Sequence, residues 1–200
     1  MIYVINYLVI NYSRWHFIGS IQKKSLNNVL KSNGLNGIET VTSLDLVKLI
    51  EKRRTEPLKI MLQINTSKEE QKGGYINDED VIETVNYIIN SCKYVHFEGL
   101  MTIGSAENSK MAAETGEPNP DFSSLVKLKE TVSKNCDVSI SDIQLSMGMS
   151  TGIFSIFQKF KLQMKLLDSK SYSDYLQAIK QGANVIRVGS KIFGAREYKK

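Results

Sequence analysis

Short apolar runs alternate along this chain with segments whose apolar residues recur at helical spacing. Six runs rich in β-branched, aliphatic and aromatic residues, each bounded by Gly, Asn, Ser or Thr, predict strands over residues 15–18, 37–41, 58–65, 96–103, 143–147 and 185–188. Residues 60–62 are apolar at every position, which is typical of parallel strands that are buried on both faces. The pattern therefore predicts a parallel sheet.

Helical patterns fill the intervals between these strands. Ser43 precedes one apolar stripe and Asn77 precedes another, so both residues are predicted N-caps. Two more helices are predicted over residues 121–132 and 175–180. Strand followed by helix, repeated along the chain, indicates an α/β fold whose sheet is open or closed into a barrel. In such folds ligands bind at the carboxyl ends of the strands.

Composition fits one globular domain. The chain has 200 residues, of which 42% are apolar and 24% are charged, enough for a sizeable core. Cys92 and Cys136 have neither metal-ligand spacing nor a second pair for a disulfide framework, so a reducing compartment is expected, and we take it to be the cytoplasm. Residues 1–14 are apolar but interrupted by asparagines, and they have no basic n-region and no small-residue cleavage site. This segment predicts neither a signal peptide nor a membrane anchor.

The net charge of +5 raises the question of a nucleic-acid partner. Nucleic-acid binding needs Lys and Arg clustered along a groove or helix, and no basic face interleaved with aromatic residues is present. The excess consists mainly of lysines in the last quarter of the chain: Lys159, Lys161, Lys165, Lys170, Lys199 and Lys200. We therefore expect a solvated basic face and no nucleic-acid partner.

Small residues follow two of the predicted strands. One corner is residues 145–150, LSMGMS, and the other is residues 187–194, RVGSKIFG. Turns of this kind can direct backbone N–H groups and a serine hydroxyl at a phosphate, so the two corners predict a divided phosphate site. The strand ends are rich in Gly, Ser and Thr and poor in charge, which favours an anionic ligand over a carboxylate-lined metal site. Walker, dinucleotide and hydrolase motifs are absent from the sequence.

Seven strings together carry a resemblance to a known family. They are WHFIG at 15–19, IETV at 38–41, QINTS at 63–67, GLMTIG at 99–104, PNPDF at 118–122, LSMGMS at 145–150, and residues 185–196. In order and type these strings resemble the pyridoxal 5′-phosphate homeostasis protein family, whose members are similar to the barrel domain of alanine racemase. The match runs from about residue 15 to residue 198 with one interruption.

The resemblance implies an incomplete (β/α)8 TIM-type barrel of the alanine racemase N-terminal type, with about six of the eight family strands present. It implies a protein that buffers or delivers pyridoxal phosphate without a demonstrated reaction. A guanidinium at the pyridine nitrogen keeps that nitrogen unprotonated, which suits a carrier. The cofactor contacts carried over are Ser146, Gly148, Met149 and Ser150 on one side of the phosphate, Gly189 and Ser190 on the other, Arg187 at the pyridine nitrogen, and His16 and Asn65 at strand ends facing the same cavity.

Two segments of this single, partial barrel domain over 1–200 depart from the family. Residues 1–14 stand where the family carries its first helix, two strands and the imine-forming lysine, and residues 152–173 interrupt segments that the family joins directly. No lysine matches that imine position, because the candidates fall at the wrong end of a strand or on helices and loops: Lys59, Lys23, Lys24, Lys72 and Lys191. Since an imine needs a desolvated amine, we expect non-covalent cofactor binding.

Three functions stay open at this point. The first is a non-catalytic pyridoxal-phosphate-binding protein, the second a pyridoxal-phosphate-dependent amino-acid racemase relative, and the third a barrel fragment without a ligand. The missing lysine argues against an enzyme, since racemisation needs a lysine and a second acid–base residue. Open sheet edges predict self-association or aggregation. The segments 1–14 and 152–173 also fit translated non-coding sequence at two gene-model junctions.

Overall fold

Six parallel strands form the sheet in the computed structural model, which describes residues 14–149 and 174–193. They are β1 (Trp15–Phe17), β2 (Leu35–Val41), β3 (Leu58–Ile64), β4 (Val95–Thr102), β5 (Gln144–Met149) and β6 (Val185–Arg187). The strands pair in chain order, each parallel to the next, as in half of a barrel. All six predicted strands are confirmed, with ends displaced by two residues or fewer.

Seven helices connect and cover the strands within the described ranges. They are α1 (Leu26–Leu30), α2 (Leu44–Arg53), α3 (Asp78–Ser91), α4 (Ala106–Thr115), α5 (Pro120–Asn135), α6 (Tyr175–Lys180) and α7 (Ser190–Phe193). The repeated strand-then-helix order confirms the predicted α/β class. None of the described helices combines the length and apolarity that crossing a bilayer requires.

The hydrophobic core is built on β3 and the helices beside it. Ile60, Met61 and Leu62 are almost fully buried, so β3 is covered on both faces as its unbroken apolar run predicts. Ile60 and Leu62 join a cluster that includes Val47 of α2 and Val85 of α3. Helices α2 and α3 thus pack against the sheet, and the ends of its strands are left to form the site.

The two predicted helix caps differ in the structure. Ser43 caps α2 as expected, because its hydroxyl accepts a hydrogen bond from the N–H of Leu46 at 3.2 Å. Asn77 occupies the predicted N-cap position of α3, but its side chain makes no cap hydrogen bond. Its amide nitrogen instead donates to the carboxylate of Asp80 at 3.2 Å.

The described sheet has β1 and β6 at its two edges. The predicted self-association through open edges stays a prediction. Apart from position 14, the atypical segments predicted at 1–14 and 152–173 fall outside the described residues.

One carboxylate joins α2 to the start of β4. Glu51 accepts hydrogen bonds from the N–H groups of Lys93 at 2.9 Å, Tyr94 at 3.1 Å and Val95 at 2.9 Å. Burial acts to raise the pKa of Glu51, but these N–H groups and the charge of His96 outweigh it and hold the pKa below its ordinary value. The folded chain therefore stabilises the ionised carboxylate of Glu51 more than the unfolded chain does.

Replacing Glu51 with alanine is expected to lower the free energy of unfolding by about 2 kcal/mol at neutral pH, because three backbone donors lose a charged acceptor. The folded-state pKa is depressed, so this contribution is present above the unfolded pKa of about 4.3 and is lost as the pH falls through the folded value. Urea unfolding at pH 7 and pH 3 measures the effect. A difference between wild type and Glu51→Ala that is as large at pH 3 as at pH 7 would contradict this explanation.

Candidate functional site

The pairing register places a row of polar side chains on one face of the sheet. His16 pairs with Gly37 across β1 and β2, and Met101 pairs with Ser146 across β4 and β5. Side chains of paired residues in a parallel sheet share a face, as do residues two apart in one strand. Glu39, two residues after Gly37, therefore lies on the same face as His16. Hydrogen bonds across this face join β1, β2, β5 and β6.

Arg187 at the end of β6 is the cationic group of the site. One terminal nitrogen donates to the hydroxyl of Ser146 at 2.8 Å, and the other donates to the carbonyl oxygen of Thr102 at 2.8 Å. Burial lowers the pKa of Arg187 from its ordinary value, while the charges of Glu39 and Asp174 act in the opposite direction. Arginine stays protonated in proteins, so the carboxyl ends of β4, β5 and β6 surround a fixed positive charge.

A chain of hydrogen bonds continues from Ser146 across the sheet. The Ser146 hydroxyl donates to one oxygen of Glu39 at 2.6 Å, and the other oxygen of Glu39 lies 3.0 Å from Nδ1 of His16. The amide nitrogen of Asn36 lies 3.0 Å from Nε2 of His16. Because an amide nitrogen only donates, Nε2 accepts and the proton resides on Nδ1. In the described part of the chain every buried side-chain nitrogen and oxygen has a partner.

The two Gly/Ser corners meet at neighbouring strand ends. Met149 pairs with Arg187 in the ladder between β5 and β6, and Gly189 follows Arg187 by two residues. A Cβ placed on Gly189 meets no atom of the described residues within 4 Å. Ser150 lies outside the described residues, and of Ser190 only the backbone, at the start of α7, is described.

Residues of the first corner are engaged by the protein itself. A Cβ on Gly148 would stand 2.5 Å from Cβ of Ala178, so this glycine admits α6 to close contact with β5. The N–H of Met149 donates to Asp174 at 2.6 Å, and the second oxygen of Asp174 accepts from the Ser109 hydroxyl at 2.8 Å. The Met149 amide predicted to hold a phosphate is thus occupied by a carboxylate.

Asn65 lies at the end of β3 and organises the loop that follows it. It is buried, and its amide nitrogen donates to the carbonyl oxygens of Glu69 at 2.9 Å and Lys72 at 3.0 Å. The Lys72 amine forms an ion pair with Glu69 and donates to the carbonyl oxygen of Gly104 at 3.1 Å, just beyond β4. Asn65 therefore positions the loop of residues 66–74. His16 is connected to Arg187 separately, by the hydrogen bonds through Glu39 and Ser146.

Glu39, Thr102 and Asp174 take part in the hydrogen bonds around Arg187 and Met149, and the sequence predicted no contact for any of them. Glu39 had a readable signal, because a carboxylate between Ile38 and Val41 in a buried strand needs a partner. Thr102 binds Arg187 through its backbone carbonyl oxygen, and a backbone contact cannot be inferred from the residue type. Asp174 pairs with Met149 from 25 residues away, a separation that local patterns cannot bridge.

The cysteines are poor nucleophiles. Burial raises the pKa of Cys92 to about 11, with the charge of Glu51 adding to the effect, and burial also raises the pKa of Cys136. Since the thiolate is the reactive form, both thiols stay protonated at neutral pH. The structure offers no support for cysteine chemistry at these two residues.

The sequence is similar to a defined family. Residues 12–166 match the family model for the N-terminal domain of alanine racemase. The pyridoxal phosphate homeostasis protein of Caenorhabditis elegans is 37% identical over 192 residues, covering 93% of this chain and 68% of the relative. Its human counterpart is 35% identical over 192 residues, covering 94% and 60%. The chain thus spans between 60 and 68% of the length of these curated relatives.

Solved structures share the fold. An unknown protein from Bifidobacterium adolescentis has a TM-score of 0.64 at 25% identity, covering 90% of this chain and 60% of that one. PipY of Synechococcus elongatus, solved with PLP bound, has a TM-score of 0.58 at 20% identity, covering 93% and 74%. By the match to the alanine racemase N-terminal domain and the identity to these relatives, the chain belongs to the pyridoxal phosphate homeostasis protein family.

Proposed function

We propose that this chain binds pyridoxal 5′-phosphate non-covalently and serves in cofactor homeostasis without catalysing a reaction of its own. The observation that carries the proposal is Arg187, a partly buried cation held by Ser146 and Thr102 near the carboxyl ends of the strands. The names of the relatives and the PLP-bound structure of PipY support the choice of ligand. Unpaired Cys92 and Cys136 are consistent with action in the cytoplasm.

The chemistry of the donors suits this ligand. Two of the five N–H donors of Arg187 bind Ser146 and Thr102, and the guanidinium is proposed to direct another at the pyridine nitrogen. Gly189 is proposed to lie against the phosphate, next to the start of α7. Ser150, Ser190 and the corner at Gly148 and Met149 are proposed to complete the phosphate contacts, with Asp174 released from the Met149 amide when the phosphate binds there.

The described lysines favour non-covalent binding. When bound, pyridoxal phosphate supplies an aldehyde that captures amines. Lys59 is the second residue of β3 and pairs with Glu98 at 2.8 Å, at the end of the strand opposite to its carboxyl end. Lys72 is committed to Glu69 and Gly104, and Lys23 and Lys24 precede α1 on the surface. An amine held as an ammonium in an ion pair does not attack an aldehyde.

A titration tests the proposal. Wild type is expected to bind pyridoxal 5′-phosphate saturably, and borohydride reduction followed by mass spectrometry is expected to leave every lysine unmodified. Arg187→Met should weaken binding about 10- to 100-fold, the range for losing a charge-assisted hydrogen bond. Arg53→Met is the matched control, because Arg53 is exposed and bonds Asn27 on the surface.

The outcomes separate the alternatives. Absence of saturable binding by the folded wild type would refute the proposal and favour a fragment without a ligand. A reduced adduct on one lysine would refute the non-covalent part and reopen the racemase-like alternative. Equal losses in Arg187→Met and Arg53→Met would show that general positive charge, and not this site, attracts the cofactor.

A further inference from the structure

One buried carboxylate, Glu39, lies on β2, toward the edge of the described sheet that is opposite to β6 and Arg187. Glu39 is 3% exposed in β2, between Ile38 and Val41, which are fully buried. Burying a carboxylate costs several kcal/mol of lost hydration, and hydrogen bonds together with an opposite charge must compensate for that cost. Neither the family resemblance nor the proposed phosphate corners give Glu39 a role.

The two oxygens of Glu39 have different partners. One faces Nδ1 of His16 at 3.0 Å, and the other accepts the short 2.6 Å bond from Ser146. His16 accepts from Asn36 at Nε2. A fixed positive charge is supplied by Arg187, which donates to the same Ser146 hydroxyl at 2.8 Å. Ser146 therefore relays the attraction between a carboxylate and a guanidinium that do not touch.

The relay determines where the guanidinium points. The Ser146 hydroxyl has one proton, and that proton is directed at Glu39, so its lone pairs are directed at Arg187. Without the Glu39 carboxylate the hydroxyl can rotate and donate elsewhere, and one of the two contacts that orient Arg187 weakens. Asp174 is the other negative charge near Arg187, but its oxygens already accept from Met149 and Ser109.

We propose that Glu39 is a positioning residue of the cofactor site, which sets the direction of the Arg187 guanidinium through the Ser146 hydroxyl. This inference rests on the proposed binding of pyridoxal 5′-phosphate and extends that site from β6 back to β2 and β1. The ring-nitrogen contact at one edge of the described sheet thus depends on His16, Asn36 and Glu39 at the other edge.

Binding of pyridoxal 5′-phosphate is measured for Glu39→Gln, Ser146→Ala, the double variant and Glu98→Gln. Glu98 is the matched control, because its carboxylate also pairs with a cation, Lys59, but stands outside the relay. We expect Glu39→Gln and Ser146→Ala each to weaken binding about tenfold. The double variant should bind the cofactor no more weakly than either single variant, because both substitutions break the same chain of hydrogen bonds. The absorption maximum of bound cofactor should shift in both variants and not in Glu98→Gln.

Ser146→Ala keeps every charge in place, so it tests the relay even where Glu39→Gln fails to fold. Additive losses, or unchanged affinity and spectrum in folded variants, would overturn the inference while leaving the proposed function intact. Crystal structures of ligand-free Ser146→Ala and, where it folds, Glu39→Gln test the orientation of the Arg187 guanidinium without the cofactor. An Arg187 guanidinium turned away from position 146 supports the inference, and an unmoved one refutes it. These crystal structures test the role of Glu39 even if wild type fails to bind the cofactor, a result that would refute only the proposed function.

Discussion

Replacing Gly99 with alanine is expected to destabilise the folded chain by about 4 kcal/mol or more, the exceptional end of the range for single substitutions. A Cβ at Gly99 would stand 2.0 Å from the carbonyl oxygen of Gln144 and 2.7 Å from its carbonyl carbon. Both atoms belong to the backbone of β5, which pairs with β4 at this position. No rotation of a side chain relieves the contact, so the two strands must move apart.

Separation of β4 from β5 also reaches the site. Ser146 follows Gln144 by two residues, and Thr102 follows Gly99 by three, so the two groups that hold Arg187 lie on the strands that move. Urea unfolding measures the loss, with Gly73→Ala as the control. A Cβ at Gly73 meets only a methyl carbon of Thr42 at 3.7 Å, and its expected effect is about 0.5 kcal/mol or less. Equal stabilities for the two variants would show that β4 and β5 do not approach this closely.

The sequence predicted the strands because burial on both faces leaves a strong local signal. Residues 58–64 are apolar almost throughout, and the structure places β3 there. Helix α4 was missed for the opposite reason. Its buried residues are Ser109 and Ala112, so it has no apolar stripe to recognise. Helix α1 has only five residues, which is too short for a periodic pattern to emerge.

The site was predictable only in part. The sequence singled out Arg187 and the two small-residue corners, and the ladder between β5 and β6 places Met149 beside Arg187. Their contacts with a cofactor stay a prediction. Local patterns could not reveal that Asp174 occupies the Met149 amide, because that contact depends on where α6 packs. They also could not reveal that Ser146 faces Glu39, since the two residues are 107 positions apart. Hydrogen-bond partners across a sheet are set by strand order and register, which no single segment encodes.

Gly148→Ala is expected to cost about 3 kcal/mol, because two separate penalties act at this position. Gly148 has φ +80°, a left-handed conformation that costs a residue with a Cβ about 1 kcal/mol or more. The added carbon would also stand 2.5 Å from Cβ of Ala178 and 2.8 Å from Cα of Tyr175 in α6. Overpacking of this kind costs about 1–3 kcal/mol. Gly182→Ala separates the two penalties, since Gly182 has φ +92° but no described atom within 4 Å of its Cβ.

A double-mutant cycle identifies the contact with α6. Adding Ala178→Gly to Gly148→Ala removes the carbon atom nearest to the new Cβ, so the combined loss should be smaller than the sum of the two single losses. The same cycle tests what Gly148 does in the site. If its role is to admit α6 to close contact with β5, the free energy of unfolding falls well below that of Gly182→Ala. If Gly148 instead only makes room for phosphate, affinity falls while the free energy of unfolding stays at that of Gly182→Ala, and the packing role is refuted.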